Sequence, residues 1–271
     1  MLRQRYFLVL CALFLTFAAA AQRRSVQSTL LQPELQAEYA LKGDDYALLG
    51  VRGAVTETNS SRKDLDRLGI NLAYERFWSD TWSGGFALRP DFYSDYRPGT
   101  DVNKLYVDVT PELFVRHWNS LGSFNVRQRL SAEYFIPGAE GAEGRALARL
   151  RLDLDRVFPL GEKIALRPRL AYEAAAYLRL QRDEDEPKER FVDFGTLRAE
   201  AGVRFSPRFD LTPWLAYGTQ YIIALPQFDD QGRQVSGGRT NQITPQVGLD
   251  LRLTLFRGGT PFERRQLPTQ H

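Results

Sequence analysis

The sequence predicts an all-β chain closed into an antiparallel, up-and-down β-barrel that crosses a membrane. Three observations predict it: a period-two alternation of apolar and polar residues along most of the chain, a regular succession of short and long links between the alternating stretches, and an export leader. The alternation is plainest at residues 148–156, Ala-Arg-Leu-Arg-Leu-Asp-Leu-Asp-Arg, where grease and charge exchange at every step. Successive side chains of a strand point to opposite faces, so this stretch has one apolar face and one charged face.

The leader comes first in the chain. Residues 1–21 carry Arg3 and Arg5, an apolar run from Tyr6 to Phe17, and alanines 18–21 before Gln22. That is the layout of a cleaved secretory signal peptide with an A-x-A site, and the mature chain is expected to begin near Gln22. The apolar run is shorter than the ~20 residues a membrane-spanning helix needs, and no later stretch comes closer, so a helical membrane protein is excluded. Cys11, the one cysteine, lies in the leader behind Leu10, which removes a lipid-anchored cysteine, disulfides and thiol chemistry. Of the 36 basic residues two are in the leader, and the remaining 34 face 33 acidic ones, interleaved in sign and without a nucleic-acid motif. No nucleic-acid partner is expected.

The strands then follow in order. Leu35, Ala37, Tyr39 and Leu41 alternate with Gln36, Glu38 and Ala40; residues 47–55 alternate more weakly; Leu68, Ile70, Leu72 and Tyr74 flank Asn71 and Glu75. The same reading covers 82–93 (Trp82, Phe86, Leu88), 104–117 (Leu105, Val107, Val109, Leu113, Val115) and 123–135 (Phe124, Val126, Leu130, Ala132, Tyr134). It continues over 146–157, 163–178 (Ile164, Leu166, Leu170, Tyr172), 192–205 (Leu197, Ala199, Ala201, Val203, Phe205), 210–223 and 242–256 (Val247, Leu249, Leu251, Leu253). Eleven strands are visible and no amphipathic helix.

Short links at 42–45, 78–81, 118–122, 158–162 and 206–209 take turns with long ones at 57–65, 94–103, 136–144, 181–189 and 225–239. Transmembrane barrels have tight turns on one side and longer loops on the other. If Phe256 ends on the short-turn side, the strand at Leu35 starts on the long-loop side, and antiparallel closure demands an earlier strand. Residues 24–32, which alternate poorly, are the candidate, which makes twelve strands, with ten as the fallback in which 22–45 is a periplasmic segment.

A soluble β-sandwich would alternate in the same way with its apolar face inward. The membrane is favoured by strands of 12 or more residues, against about five or six in soluble domains. Aromatic residues near the strand ends also favour it. Tyr74, Phe77, Trp78, Trp82, Trp118, Phe124, Phe205 and Phe209 lie on the short-turn side, and Tyr134, Phe135, Tyr177 and Tyr221 on the other, resembling two interfacial girdles. A polar face so rich in opposite charges suits a narrow lumen, and a sheet in lipid must close.

The final strand, Gln246-Val247-Gly248-Leu249-Asp250-Leu251-Arg252-Leu253-Thr254-Leu255-Phe256, resembles the C-terminal assembly signal of bacterial outer-membrane β-barrel proteins, with Gln246, Gly248, Leu251, Leu253 and Phe256 as its marks. The resemblance implies a porin-like barrel at residues 22–256, located in the bacterial outer membrane. Its implied partners are outer-membrane lipid, lipopolysaccharide and, during biogenesis, the barrel assembly machinery. Residues 257–271 depart from that pattern by continuing as a polar tail.

The polar phase places Arg127, Arg129, Glu133, Arg149, Arg151, Asp153, Asp155, Arg167, Arg169, Glu173, Arg198, Glu200, Arg204, Asp250 and Arg252 in the lumen, joined by Lys104, Arg116, Glu38, Glu75 and Glu112 among others. Paired charges of this kind make either a static plug or a selective pore, and the arginines between 127 and 169 favour small anions if the lumen conducts. The expected function is a passive conduit for small solutes or a structural wall component, with no cofactor, no metal and no catalysis.

Two rivals are a lipid-modifying hydrolase and a secreted, sugar-binding β-sandwich. His117-Trp118-Asn119-Ser120 faintly resembles the His-x-Ser-Asn motif of lipid A deacylases, but asparagine precedes serine, and a histidine beside Trp118 at a short turn reads as an interfacial anchor. His271 lies at the end of the tail. The acidic stretch Asp183–Glu186 reads as a solvated loop. Pro168, Pro213 and Pro245 lie near strand starts, and Pro111 implies a bulge, because proline cannot donate to a ladder.

Overall fold

The computed structural model describes residues 23–57, 63–96, 103–161, 164–178, 191–262 and 264. The leader at 1–21, the acidic stretch Asp183–Glu186 and His271 lie outside the described residues.

The strands are β1 (Arg23–Val26), β2 (Leu30–Ala40), β3 (Tyr46–Glu57), β4 (Lys63–Phe77), β5 (Trp82–Tyr96), β6 (Asn103–Leu121) and β7 (Phe124–Phe135). They continue as β8 (Arg145–Asp155), β9 (Phe158–Pro159), β10 (Ala165–Tyr177), β11 (Phe194–Ser206), β12 (Phe209–Phe228) and β13 (Gln234–Phe256). Each pairs antiparallel with its neighbour in sequence from β2 to β13, except that β8 pairs directly with β10 and the two-residue β9 extends β8 along β10. The cycle closes where β13 pairs with β2, from Gln246 opposite Leu30 to Phe256 opposite Ala40. Among the described residues this barrel has eleven strands, with β1 and β9 outside the cycle. A closed sheet sets the sandwich alternative aside.

The closing pair is parallel, which corrects both the twelve-strand expectation and the ten-strand fallback. An even count follows only if the first and last strands run in opposite directions. Here residues 24–32 supply no return strand: β1 runs along β13 in the same direction as β2, from Arg23 opposite Thr240 to Val26 opposite Ile243. The eleven strands visible in the alternation are the eleven of the barrel.

Six prolines stand in the outward phase of the barrel strands, and each coincides with a gap in one flanking ladder while the other stays paired. Pro33 interrupts β2–β3 and Pro90 interrupts β4–β5. Pro111 interrupts β6–β7, Pro168 falls between the β8 and β9 pairings of β10, Pro213 interrupts β11–β12, and Pro245 falls between the β1 and β2 pairings of β13. The missing N–H is placed where no partner is demanded of it. At Pro111 the pairing resumes in unchanged register at Val109 opposite Ile136, so the expected bulge is not there.

The polarity of the barrel is the reverse of a soluble core. Buried positions include Glu34, Glu38, Glu75, Arg127, Arg169 and Asp250, while Leu35, Leu113, Leu130 and Leu215 are 61%, 69%, 60% and 54% exposed. The strands alternate accordingly, with β8 reading exposed at Leu150, Leu152 and Leu154 and buried at Arg151, Asp153 and Asp155. Short turns and the end of β13 mark one rim of the barrel. The starts of β1 and β2 and the long links mark the other.

Candidate functional site: the charged lumen

The lumen residues read from the sequence stand on the inner face, Lys104 at the rim excepted, and the structure joins most of them into ion pairs of three tiers. Nearest the short turns, Glu75 is the hub: Tyr46 Oη donates to its Oε2 at 2.5 Å, Ser83 Oγ to Oε1 at 2.6 Å, and Arg116 Nη1 lies 2.6 Å from Oε2. Beside it Arg127 pairs with Asp155, which also accepts from Asn125 at 2.8 Å. Arg204 reaches Asp210 at 2.9 Å, and Arg252 reaches Glu38 at 3.1 Å.

In the middle tier Arg151 holds Asp153 at 2.9 Å, and Arg169 lies between Asp153 and Glu200. Arg198 bridges Glu200 at 2.8 Å and Asp250 at 3.0 Å with its guanidinium 3.8 Å from the Trp214 ring centroid, and the Trp214 indole donates to Asp250 at 2.8 Å. Toward the long loops Arg89 spans Glu112 at 2.7 Å and Glu133 at 2.9 Å, and Arg149 spans Glu133 at 2.7 Å and Glu173. Arg129 also pairs with Glu112, at 2.6 Å, under the Phe114 ring. Arg167 is buried in the same interior at 3% exposure.

These pairs follow from the strand phase. Inner residues two apart on one strand, or on strands one or two places apart in the sheet, lie close enough for a long guanidinium to reach a carboxylate, and a buried charge is costly unless it is paired. The tiers differ in packing. On the long-loop side a cavity of about 450 Å³ is lined by Arg52, Arg89, Glu133, Arg149, Glu173 and Trp214 among others. On the short-turn side Glu75, Arg116, Arg127, Asp155 and Arg167 are at most 3% exposed and stand outside that lining. Eleven strands lie between the side-chain-filled barrel of about eight and the aqueous barrels of 16 or more, and here arginine fills the difference.

Several expectations need correction. Phe77, Trp118, Phe135 and Tyr177 have the inward phase. Phe77 and Trp118 pack on the buried Tyr46, Leu48 and Ala73 cluster, and Phe135 and Tyr177 line the cavity, so they are not girdle residues. Trp78, Trp82, Phe124, Phe205 and Phe209 remain on the outside. Lys104, in the inward phase but at the rim, pairs with Glu140 at 2.8 Å. Of the assembly-signal marks, Leu253 is exposed, whereas Phe256 is turned inward, out of phase with the leucines before it, and meets Phe262 edge to face at 5.1 Å. Gly248 has a packing reason, since a Cβ there would lie 2.2 Å from the Trp214 ring.

Sequence reasoning passed over Glu34, Tyr46, Asp210 and Arg264. Glu34, Tyr46 and Asp210 have the inward phase in the sequence and were legible. Arg264 lies beyond the last strand, where no period applies. His117 sits near the turns with its ring 4.4 Å from that of Trp82 and Nδ1 2.9 Å from Gln128 Oε1. No family model, curated protein or solved structure matches this chain.

Proposed function

We propose that this chain is a bacterial outer-membrane β-barrel, a porin-like passive conduit for small solutes that is shut on its turn side. The observation that carries the reading is the inverted polarity, a belt of exposed leucine around a buried ionic interior. Exposed aliphatic faces of this extent on every side of a barrel cost free energy in water and none in hydrocarbon. Strands of 11 to 23 residues reach across a bilayer, which a tilted strand of about 9–11 residues spans. Trp82, Phe124 and Phe209 near the turns and Tyr134, Tyr172 and Tyr217 farther along suit the two interfaces.

In this reading the cavity is the vestibule and the turn-side ion pairs are the closed gate. Small anions remain the favoured solutes because arginine outnumbers carboxylate along residues 127–169. His117 is an interfacial anchor, and the lipid, lipopolysaccharide and assembly-machinery partners follow from the membrane location. The purified mature protein is expected to require detergent, to shift its gel mobility on boiling, and to insert into planar bilayers with little conductance at rest. A protein that stays monomeric and soluble without detergent, with no bilayer insertion, overturns the proposal.

A further inference from the structure

The chain does not simply leave the barrel after Phe256. Gly258 and Gly259 take φ of 83° and 79°, a left-handed pair that L side chains rarely adopt, and Gly259 N–H donates to the Phe256 carbonyl at 2.9 Å. Arg257 N–H is held by the Ala40 carbonyl at 3.0 Å across the seam, and Arg208 reaches the Gly259 carbonyl at 2.5 Å. The reversed segment then seats two side chains. Phe262 meets the inward ring of Phe256, and Arg264 pairs with Glu38 while donating to the Asp44 carbonyl at 3.1 Å. The Arg264 side chain is 8% exposed, and its guanidinium lies 6.0 Å from the Tyr46 ring centroid.

We propose that residues 257–262, together with Arg264, are a built-in stopper for the turn-side mouth of the barrel. Glu38 is shared by Arg252 of the wall and Arg264 of the tail, so the tail completes a charge arrangement that the wall begins. A cavity of about 40 Å³ remains between stopper and wall, lined by Glu38, Arg204, Arg252 and Thr254 on one side and by Phe262 and Arg264 on the other. The segment is therefore seated on the mouth through two side chains, leaving space above it that a departing tail would join to solvent. A short segment held by one ion pair, one ring contact and a few hydrogen bonds opens more readily than the continuous ladders around it. The closure concerns the barrel mouth alone and holds whether or not the barrel lies in a membrane.

The test uses the full chain in a Cys11→Ser background with a single probe, Thr254→Cys, which faces the small cavity, and a charged, membrane-impermeant thiol reagent. With the tail intact labelling is expected to be slow. In the Phe262→Ser/Arg264→Ser variant it accelerates about tenfold or more. Gly259→Val, which strains the left-handed turn in open space, gives the same acceleration without touching either contact. Ser79→Cys on an exposed turn labels equally in all backgrounds and reports the intact fold. Equal Thr254→Cys labelling with and without the two contacts overturns the stopper.

Discussion

Tyr46 donates its hydroxyl to Glu75 at 2.5 Å in a fully buried position, and Arg116 closes on the same carboxylate. Glu75 thus neutralises one cation and accepts from two hydroxyls, those of Tyr46 and Ser83. Removing it leaves a buried guanidinium without its carboxylate. Glu75→Ala is expected to cost about 3–5 kcal/mol, read as a fall in the denaturant midpoint of the lipid- or detergent-embedded barrel. Arg116→Ala costs a comparable amount, and the double variant costs less than the two together, because the remaining partner is no longer orphaned.

Gly248 lies on β13 beneath the Trp214 indole, which donates to Asp250. A methyl group there has no space, so Gly248→Ala is expected to lose about 1–3 kcal/mol through overpacking. The companion Trp214→Phe, which keeps bulk and removes the donor, is milder. Thermal unfolding by tryptophan-independent circular dichroism orders the two.

The parallel seam fixes where the two ends of the barrel chain emerge. β2 starts at the long-loop rim and β13 ends at the turn rim, so under the proposed membrane location an epitope inserted at Ser28 and one appended after His271 are expected on opposite sides of the bilayer. Protease protection of tagged protein in intact cells and in permeabilised cells checks this. Both tags on one side would require an even-numbered, antiparallel closure.

Much of this was legible in the sequence. The run of residues 148–155 reads as β8 with Arg149, Arg151, Asp153 and Asp155 inward, and the same parity places Arg169, Arg198, Asp250 and Arg252 inside. What failed was arithmetic laid over that pattern. A rule of even strand number imposed a twelfth strand that the alternation at 24–32 did not support, because side-chain period says nothing about the direction in which two ladder partners run. Closeness to strand ends suggests a girdle for Trp118 and Tyr177, but Trp118 shares the phase of Arg116 and Tyr177 that of Glu173, which turns both inward. The pairing of Arg264 with Glu38 joins positions 226 residues apart and leaves no local mark at all.

The outer face carries its own expectation. Leu113, near the middle of β6 and 69% exposed, faces out of the barrel. Leu113→Arg is expected to cost about 2–4 kcal/mol of folding stability in a bilayer, measured by urea titration in phospholipid vesicles. In a water-facing wall the same change is close to neutral.

The most direct measurement compares neighbours on one strand. Single cysteines at Leu130 and Ser131, in the Cys11→Ser background, carry an environment-sensitive fluorophore in vesicles containing lipids brominated along their acyl chains. Leu130 is 60% exposed and Ser131 is 3% exposed. The account requires strong quenching at position 130 and little at 131. Equal quenching at both positions, or none at either, would contradict a barrel that turns its leucines to hydrocarbon and its charges to the axis.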